Sequence, residues 1–244
     1  MSDAGLLSGR YAVVTDAGTP LGRAVVGKFA EQGAIVAFGA PDEASGARLL
    51  SEISRASPES FYQVMRLSDA ASVENFCARV NAKFPVVRVL VNNPYSPVRK
   101  SLLDSDDADD AELLQIYQHS LVQTQRAFIG KMLEEGHCSI VNISSGAVFQ
   151  GAIGDLRRST ANAAIGGMTR VPVIEGGKTN VRANELLVSR SVNEPEMAPA
   201  PLAAGIRRPD VECAVEAALF LASDMSSYVN GVALNVDGGA RLSL

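Results

Sequence analysis

The chain has no tryptophan, two histidines and three cysteines in 244 residues, and aromatic side chains make up only 5% of it. His119 and His137 leave few candidates for a metal centre, and none is expected. Cys77, Cys138 and Cys213 are odd in number and form no CxxC pair, which argues against a disulfide framework. They read as buried thiols of a reducing cytoplasm. No apolar run is long enough to cross a bilayer, and the opening MSDAGLLSGR lacks the apolar core of a signal peptide, so a cytoplasmic protein is expected. Basic residues are outnumbered, 22 Lys and Arg against 27 Asp and Glu, giving a net charge of −5. With no basic patch, nucleic acid is not an expected partner.

What is present is an ordinary globular composition, 47% hydrophobic and 20% charged. The patterning alternates. Short β-rich runs at 11–15, 34–38, 61–67, 86–92, 139–145, 181–188 and 232–236 are separated by helical patterns. These helices are expected over 21–33, 43–54, 72–84, 108–135, 159–171 and 209–224. Gly33 should stop the first helix, and Pro172 with Gly176 and Gly177 should bend the fifth or end it early. The acidic run 104-DSDDADDAE-112 lacks the pattern of a calcium loop and suits the N-terminus of the long helix. Strict alternation with short connections implies parallel strands joined by helical crossovers. The expected fold is therefore α/β, a Rossmann-like doubly wound parallel sheet, with residues 1–244 forming a single domain.

Six stretches then appear in order: 14-VTDAGTPLG-22, 90-LVNN-93, 140-IVNISS-145, 159-STANAAIGGMTR-170, 181-VRAN-184 and 219-LFLASDMSSYVNGVALNVDGG-239. Along nearly its whole length the sequence resembles the short-chain dehydrogenases/reductases. The resemblance implies an NAD(P)-dependent oxidoreductase, and it also marks where this chain departs from one. The family's first turn, TGxxxGxG, brings backbone close to a dinucleotide pyrophosphate at a helix N-terminus. Here only Gly22 keeps its place, Pro20 removes an N–H, and Asp16 puts a carboxylate in the turn. Two unit charges about 4 Å apart repel by roughly 4 kcal/mol at an effective dielectric near 20. The acid expected after the second strand is absent from 38-FGAP-41, and Arg66 aligns with the family's adenine-side aspartate. The NNAG turn has become Asn92-Asn93-Pro94-Tyr95, with Tyr95 as an expected plug in the cleft, and Val188-Ser189 replaces the usual PG.

The chemistry positions have changed as well. The family's substrate-bonding serine matches Ser145, but its tyrosine aligns with Arg158 and its lysine with Asn162. A guanidinium has no acceptor and a pKa above about 12, so it cannot exchange a proton near neutrality. Lys178 belongs to an ordinary turn, and the helix that usually supplies an asparagine reads 116-IYQHS-120, with His119 expected on a polar helix face. The halohydrin dehalogenases, relatives without a dinucleotide, keep the tyrosine and do not match. Ser145, Arg158 and Asn162 are thus expected to form a vestigial site. Asp16, Pro20, Gly22, Arg66, Pro94 and Tyr95 are expected to form a degenerate cofactor site, with no cofactor bound by this chain.

This pattern resembles the inactive subunit of heteromeric short-chain dehydrogenases, such as the hydroxybenzylsuccinyl-CoA dehydrogenases. The resemblance implies an active paralogue that binds NAD, a tetramer as the assembly, and an acyl-CoA of aromatic catabolism as substrate. The small residues Ala161, Ala163, Ala164, Gly166 and Gly167 would belong to a helix at a subunit face. The alternative expectation is an atypical NAD(P)-dependent oxidoreductase acting on a hydroxy or keto substrate.

Overall fold

A computed structural model describes residues 5–104, 106–150, 154–189, 192–193 and 211–239. The expected Pro-rich loop (Pro195, Pro199, Pro201) and the first two residues of the expected helix at 209 lie outside the described residues. Among the described residues, seven strands form one parallel sheet in the order β3-β2-β1-β4-β5-β6-β7. They are β1 Tyr11–Val14, β2 Ile35–Ala40, β3 Phe61–Val64, β4 Val89–Asn92, β5 Ser139–Ser145, β6 Arg182–Val188 and β7 Ala233–Val236. The crossovers use α1 Pro20–Glu31, α2 Glu43–Ile53, α3 Ala70–Lys83, α4 Asp107–Leu114, α5 Ser120–Glu135, α6 Ala147–Gln150, α7 Leu156–Ala163, α8 Ile165–Gly176 and α9 Val211–Ala222. The doubly wound α/β fold expected from the alternation is the fold observed.

Alternate residues of each strand feed opposite faces, so the sheet separates two apolar cores. Ala12 and Val14 of β1 share one core with Leu21, Val25 and Phe29 of α1 and Ala218 and Leu221 of α9. Val13 faces the other way, into a core built with Phe76 and Val80 of α3 and Phe128 and Met132 of α5. Because β1 lies between β2 and β4, chain direction through the sheet reverses at that point. A crevice therefore opens beyond the C-terminal ends of β1 and β4. The turn after β1 and the Asn93-Pro94-Tyr95 segment after β4 meet there.

Several boundaries differ from expectation for local reasons. The single helix expected over 108–135 contains a π-helical turn at Gln115–His119, between α4 and α5. The helix expected at 159–171 is two helices that meet at Ala164, and α8 continues through Pro172 to Gly176. Its buried face, Ile165, Gly166, Thr169, Pro172 and Gly176, supplies the packing that offsets the N–H missing at Pro172. Gly177, at φ +51°, ends it instead. Gly33 ends α1 as expected, at φ +84°. The acidic run does cap a helix: Asp106 accepts from the N–H groups of Ala108 and Asp109, while Asp109 reaches back to the Asp106 N–H at 3.1 Å. Cys77 and Cys138 are buried, which pushes their thiols up to about 12 and about 11. Cys213 is exposed, on the solvent side of the first turn of α9, and corrects the expectation that all three thiols are buried.

Candidate active-site cleft

The turn after β1 is bonded to itself. Asp16 accepts from the Gly18 N–H at 2.7 Å, and the Ala17 N–H goes to the Gly39 carbonyl at 2.8 Å. Thr19 is the N-cap of α1, its hydroxyl accepting from Gly22 N–H at 3.0 Å and its carbonyl from Arg23 N–H. Pro20 follows at the first helical position, where its missing N–H costs least. The Leu21 N–H donates to Asn193 Oδ1 at 3.2 Å, across 172 residues of sequence. Asn93 ties the turn to the end of β4, donating to the Asp16 carbonyl at 2.8 Å and to the Thr19 hydroxyl at 2.9 Å. Burial raises the Asp16 carboxyl to about 6, with the Gly18 N–H pulling the other way. A methyl group on Gly22 would lie 1.8 Å from the Asp16 carbonyl oxygen, so the close approach of α1 to the turn alone requires glycine there.

Beside this turn is a narrow cleft with about 40 Å³ of open space, lined by Pro94, Tyr95, Ser145, Arg158, Asn162 and, among others, Tyr117. The first five were singled out from sequence, and the fold brings them together. Tyr95 is half-buried in the cleft wall, where a ring narrows the space. Arg66 is not part of the group: it is exposed after β3, its backbone N–H held by the Ser72 hydroxyl.

At the chemistry positions, Arg158 is buried and committed. Its guanidinium donates to Asp155 at 2.8 Å and to the Ser96 carbonyl at 3.2 Å. Asn162 accepts from the Ser145 backbone N–H at 3.1 Å and donates to the Arg158 carbonyl one helical turn back at 2.8 Å. Arginine, asparagine and serine here hold the cleft wall together. His119 is exposed and pairs with Gln115 at 3.3 Å, as a polar helix-face residue would.

Sequence reasoning missed Tyr117, Thr19 and Asn193. The Tyr117 phenol oxygen accepts from the Ser96 N–H at 3.0 Å, inside the same cleft. Burial pushes this phenol up to about 12, with Arg158 lowering it only in part. The π-helical turn alters which side chains of that helix face the sheet, and a one-dimensional pattern does not show it. Thr19 carried a readable signal, a threonine just before a proline at a helix start. Asn193 carried none.

With this geometry in view, comparison with known proteins is informative. A family model described as short chain dehydrogenase matches residues 10–190. The chain belongs to the short-chain dehydrogenase family. It is 29% identical to the 3alpha-hydroxysteroid dehydrogenase of Mediterraneibacter gnavus, over 97% of this chain and 98% of that protein. It is 26% identical to the 3-oxoacyl-[acyl-carrier-protein] reductase FabG of Escherichia coli K12, over 95% of this chain and 97% of the other. Among solved structures, a short chain dehydrogenase/reductase family protein superposes with a TM-score of 0.86 at 29% identity, covering 97% of this chain and 99% of that one.

The family implies a nicotinamide dinucleotide in the crevice, and the residues present do not fit its diphosphate. Such a group needs free N–H donors at the first turn. Here those of Ala17, Gly18, Leu21, Gly22 and Arg23 are already bonded within the chain. Beyond β2, where a carboxylate would hold ribose hydroxyls, Pro41 packs against Gly18, its ring carbons 3.1 to 3.2 Å from where a Gly18 Cβ would stand. Among the described residues no helix is long and apolar enough to cross a membrane, and no group of three or more His, Cys, Asp or Glu is placed to hold a metal.

Proposed function

We propose that this chain is a non-catalytic subunit of the short-chain dehydrogenase family, supporting an active NAD-dependent paralogue in a hetero-oligomer. The observation that carries the reading is the fate of Arg158. At the position where the family's tyrosine exchanges a proton stands a guanidinium spent on Asp155 and the Ser96 carbonyl. Neither it nor Asn162 can give or take a proton near neutrality. Ser145 keeps its place at the cleft, where a hydroxyl can position a substrate oxygen.

An assembly role is supported by a second surface feature. A groove of about 550 Å³ runs between α5 and α8, lined by Val122, Ile129, Gly167, Met168 and Val171. Val171 is exposed along it and Ile174 is exposed on the same helix, apolar surface that a subunit contact would cover. NAD and the proton chemistry would reside on the paralogue, the complex would be a tetramer, and its substrate an acyl-CoA of aromatic catabolism. Co-expression with an intact paralogue is the test. Co-purification with a rise in the paralogue's stability or turnover is expected, and absence of both overturns the reading.

One observation favours a second reading, an atypical NAD(P)-dependent oxidoreductase acting on a hydroxy or keto substrate. Tyr117 places a phenol in the cleft from a different helix. Calorimetric titration with NADH and NADPH separates the two readings, since micromolar binding would favour the second.

A further inference from the structure

The bonds around the first turn have a common destination. The backbone donors of Ala17, Gly18, Leu21 and Gly22, which a glycine turn and a helix N-terminus would offer to an anion, end on oxygens of this chain. Three of those oxygens are side-chain acceptors: the Thr19 hydroxyl of the helix cap, Asp16 Oδ1, at 2.7 Å from the Gly18 nitrogen, and Asn193 Oδ1, at 3.2 Å from the Leu21 nitrogen. Asn193 also lines the cleft, together with Ser145 and Ser189. Its neighbour Val192 is 2% exposed and packs into the same core as Leu21 and Val188. The segment after β6 is therefore held at two adjacent points, one apolar and one polar, and the polar one ends on α1.

We infer that the phosphate seat is self-liganded: Asp16 and Asn193 take the place of a dinucleotide diphosphate, and Asn193 straps the segment after β6 to the N-terminus of α1. In a dinucleotide-binding member of such a fold the ligand's own oxygens join these two parts of the crevice. Here the chain joins them itself, so the cleft keeps one arrangement at any dinucleotide concentration. A partner would meet a surface that does not change with the redox state of the nicotinamide pool. Self-liganding does not require that a catalytic partner exist, so its test is independent of co-purification.

Hydrogen exchange of the purified full chain tests the inference in two arms. In the first, Asn193→Ala should speed exchange of the Leu21 amide by up to about tenfold, the scale of one lost hydrogen bond, and should loosen Val192 with it. Leu21 exchange equal to that of the unaltered chain overturns the strap. In the second arm the unaltered chain is mixed with millimolar NADH or, separately, inorganic diphosphate. Unchanged exchange over residues 17–23 is expected with both. Protection of that turn by either ligand overturns the inference, because it shows donors available to an outside anion. The second arm needs no variant and stands if Asn193→Ala proves too unstable to purify.

Discussion

Asp16 carries the electrostatic character of the first turn, and its titration can be followed. Burial raises its carboxyl from 3.8 to about 6, so the folded chain holds this proton more tightly than the unfolded chain does. The stability this contributes is fully present below about pH 4 and is lost as pH rises through about 6. Asp16→Asn keeps an oxygen for the Gly18 N–H and removes the ionisation. The difference in melting temperature between variant and unaltered chain should therefore move in the variant's favour from pH 5 to pH 7.5. Thermal unfolding across that range checks it, and a flat difference would show a carboxylate already well solvated. At this scale the sequence was partly legible. A carboxylate at a family glycine position is visible in one dimension, and so is a guanidinium at a tyrosine position. What those groups bond to is not, because Arg158 finds Ser96 across 62 residues and Leu21 finds Asn193 across 172.

Within α1, two glycines five positions apart respond to different neighbours. Gly22 faces the turn after β1, where an added methyl would meet the Asp16 carbonyl oxygen at 1.8 Å and Asn93 Nδ2 at 2.7 Å. Gly27 has nothing within 4 Å of an added methyl. Gly22→Ala should cost about 3 kcal/mol or more, since backbone must shift to admit it. Gly27→Ala should be neutral or stabilising by up to about 1 kcal/mol, through helix propensity and a less flexible unfolded chain. Urea unfolding of the two variants measures both, and equal effects would refute the packing account. Element identity was the most readable level. Strand–helix alternation gave every strand of the observed sheet, and Asp106 capped its helix as the acidic run suggested. The π-helical turn and the passage of α8 through Pro172 were not readable, because packing of a buried face outweighed local propensity there.

For the molecule as a whole, the changed residues around the first turn and the cleft, Arg66 apart, are linked through the segment after β4. Asp16 and Thr19 are joined by Asn93 to the end of β4. Arg158 and Tyr117 both bond Ser96, a few residues further along the same segment. Putting the family's side chains back at two positions should therefore not restore the activity. The double variant Arg158→Tyr, Asn162→Lys is expected to show no oxidation of NADH with a keto substrate, followed by loss of nicotinamide absorbance. Measurable turnover would mean that the first turn had never stood in the way. Arg158→Tyr also strips Asp155 of its guanidinium, and losing one partner of a buried ion pair costs about 3–5 kcal/mol, so a lower melting point should accompany the inactivity.

Hydrophobic periodicity, glycine placement and the order of six short stretches were enough, by themselves, to determine a doubly wound parallel sheet and the family to which the chain belongs. They were enough because strand and helix periods and tight turns are local properties, written within a few residues of one another. Only the tertiary structure decided what the substituted residues do. Whether an N–H at the first turn is free or spent, and whether an arginine is available or locked, depends on partners brought from distant strands by the sheet order. That pairing is a property of the folded crevice, and no window of the sequence contains it.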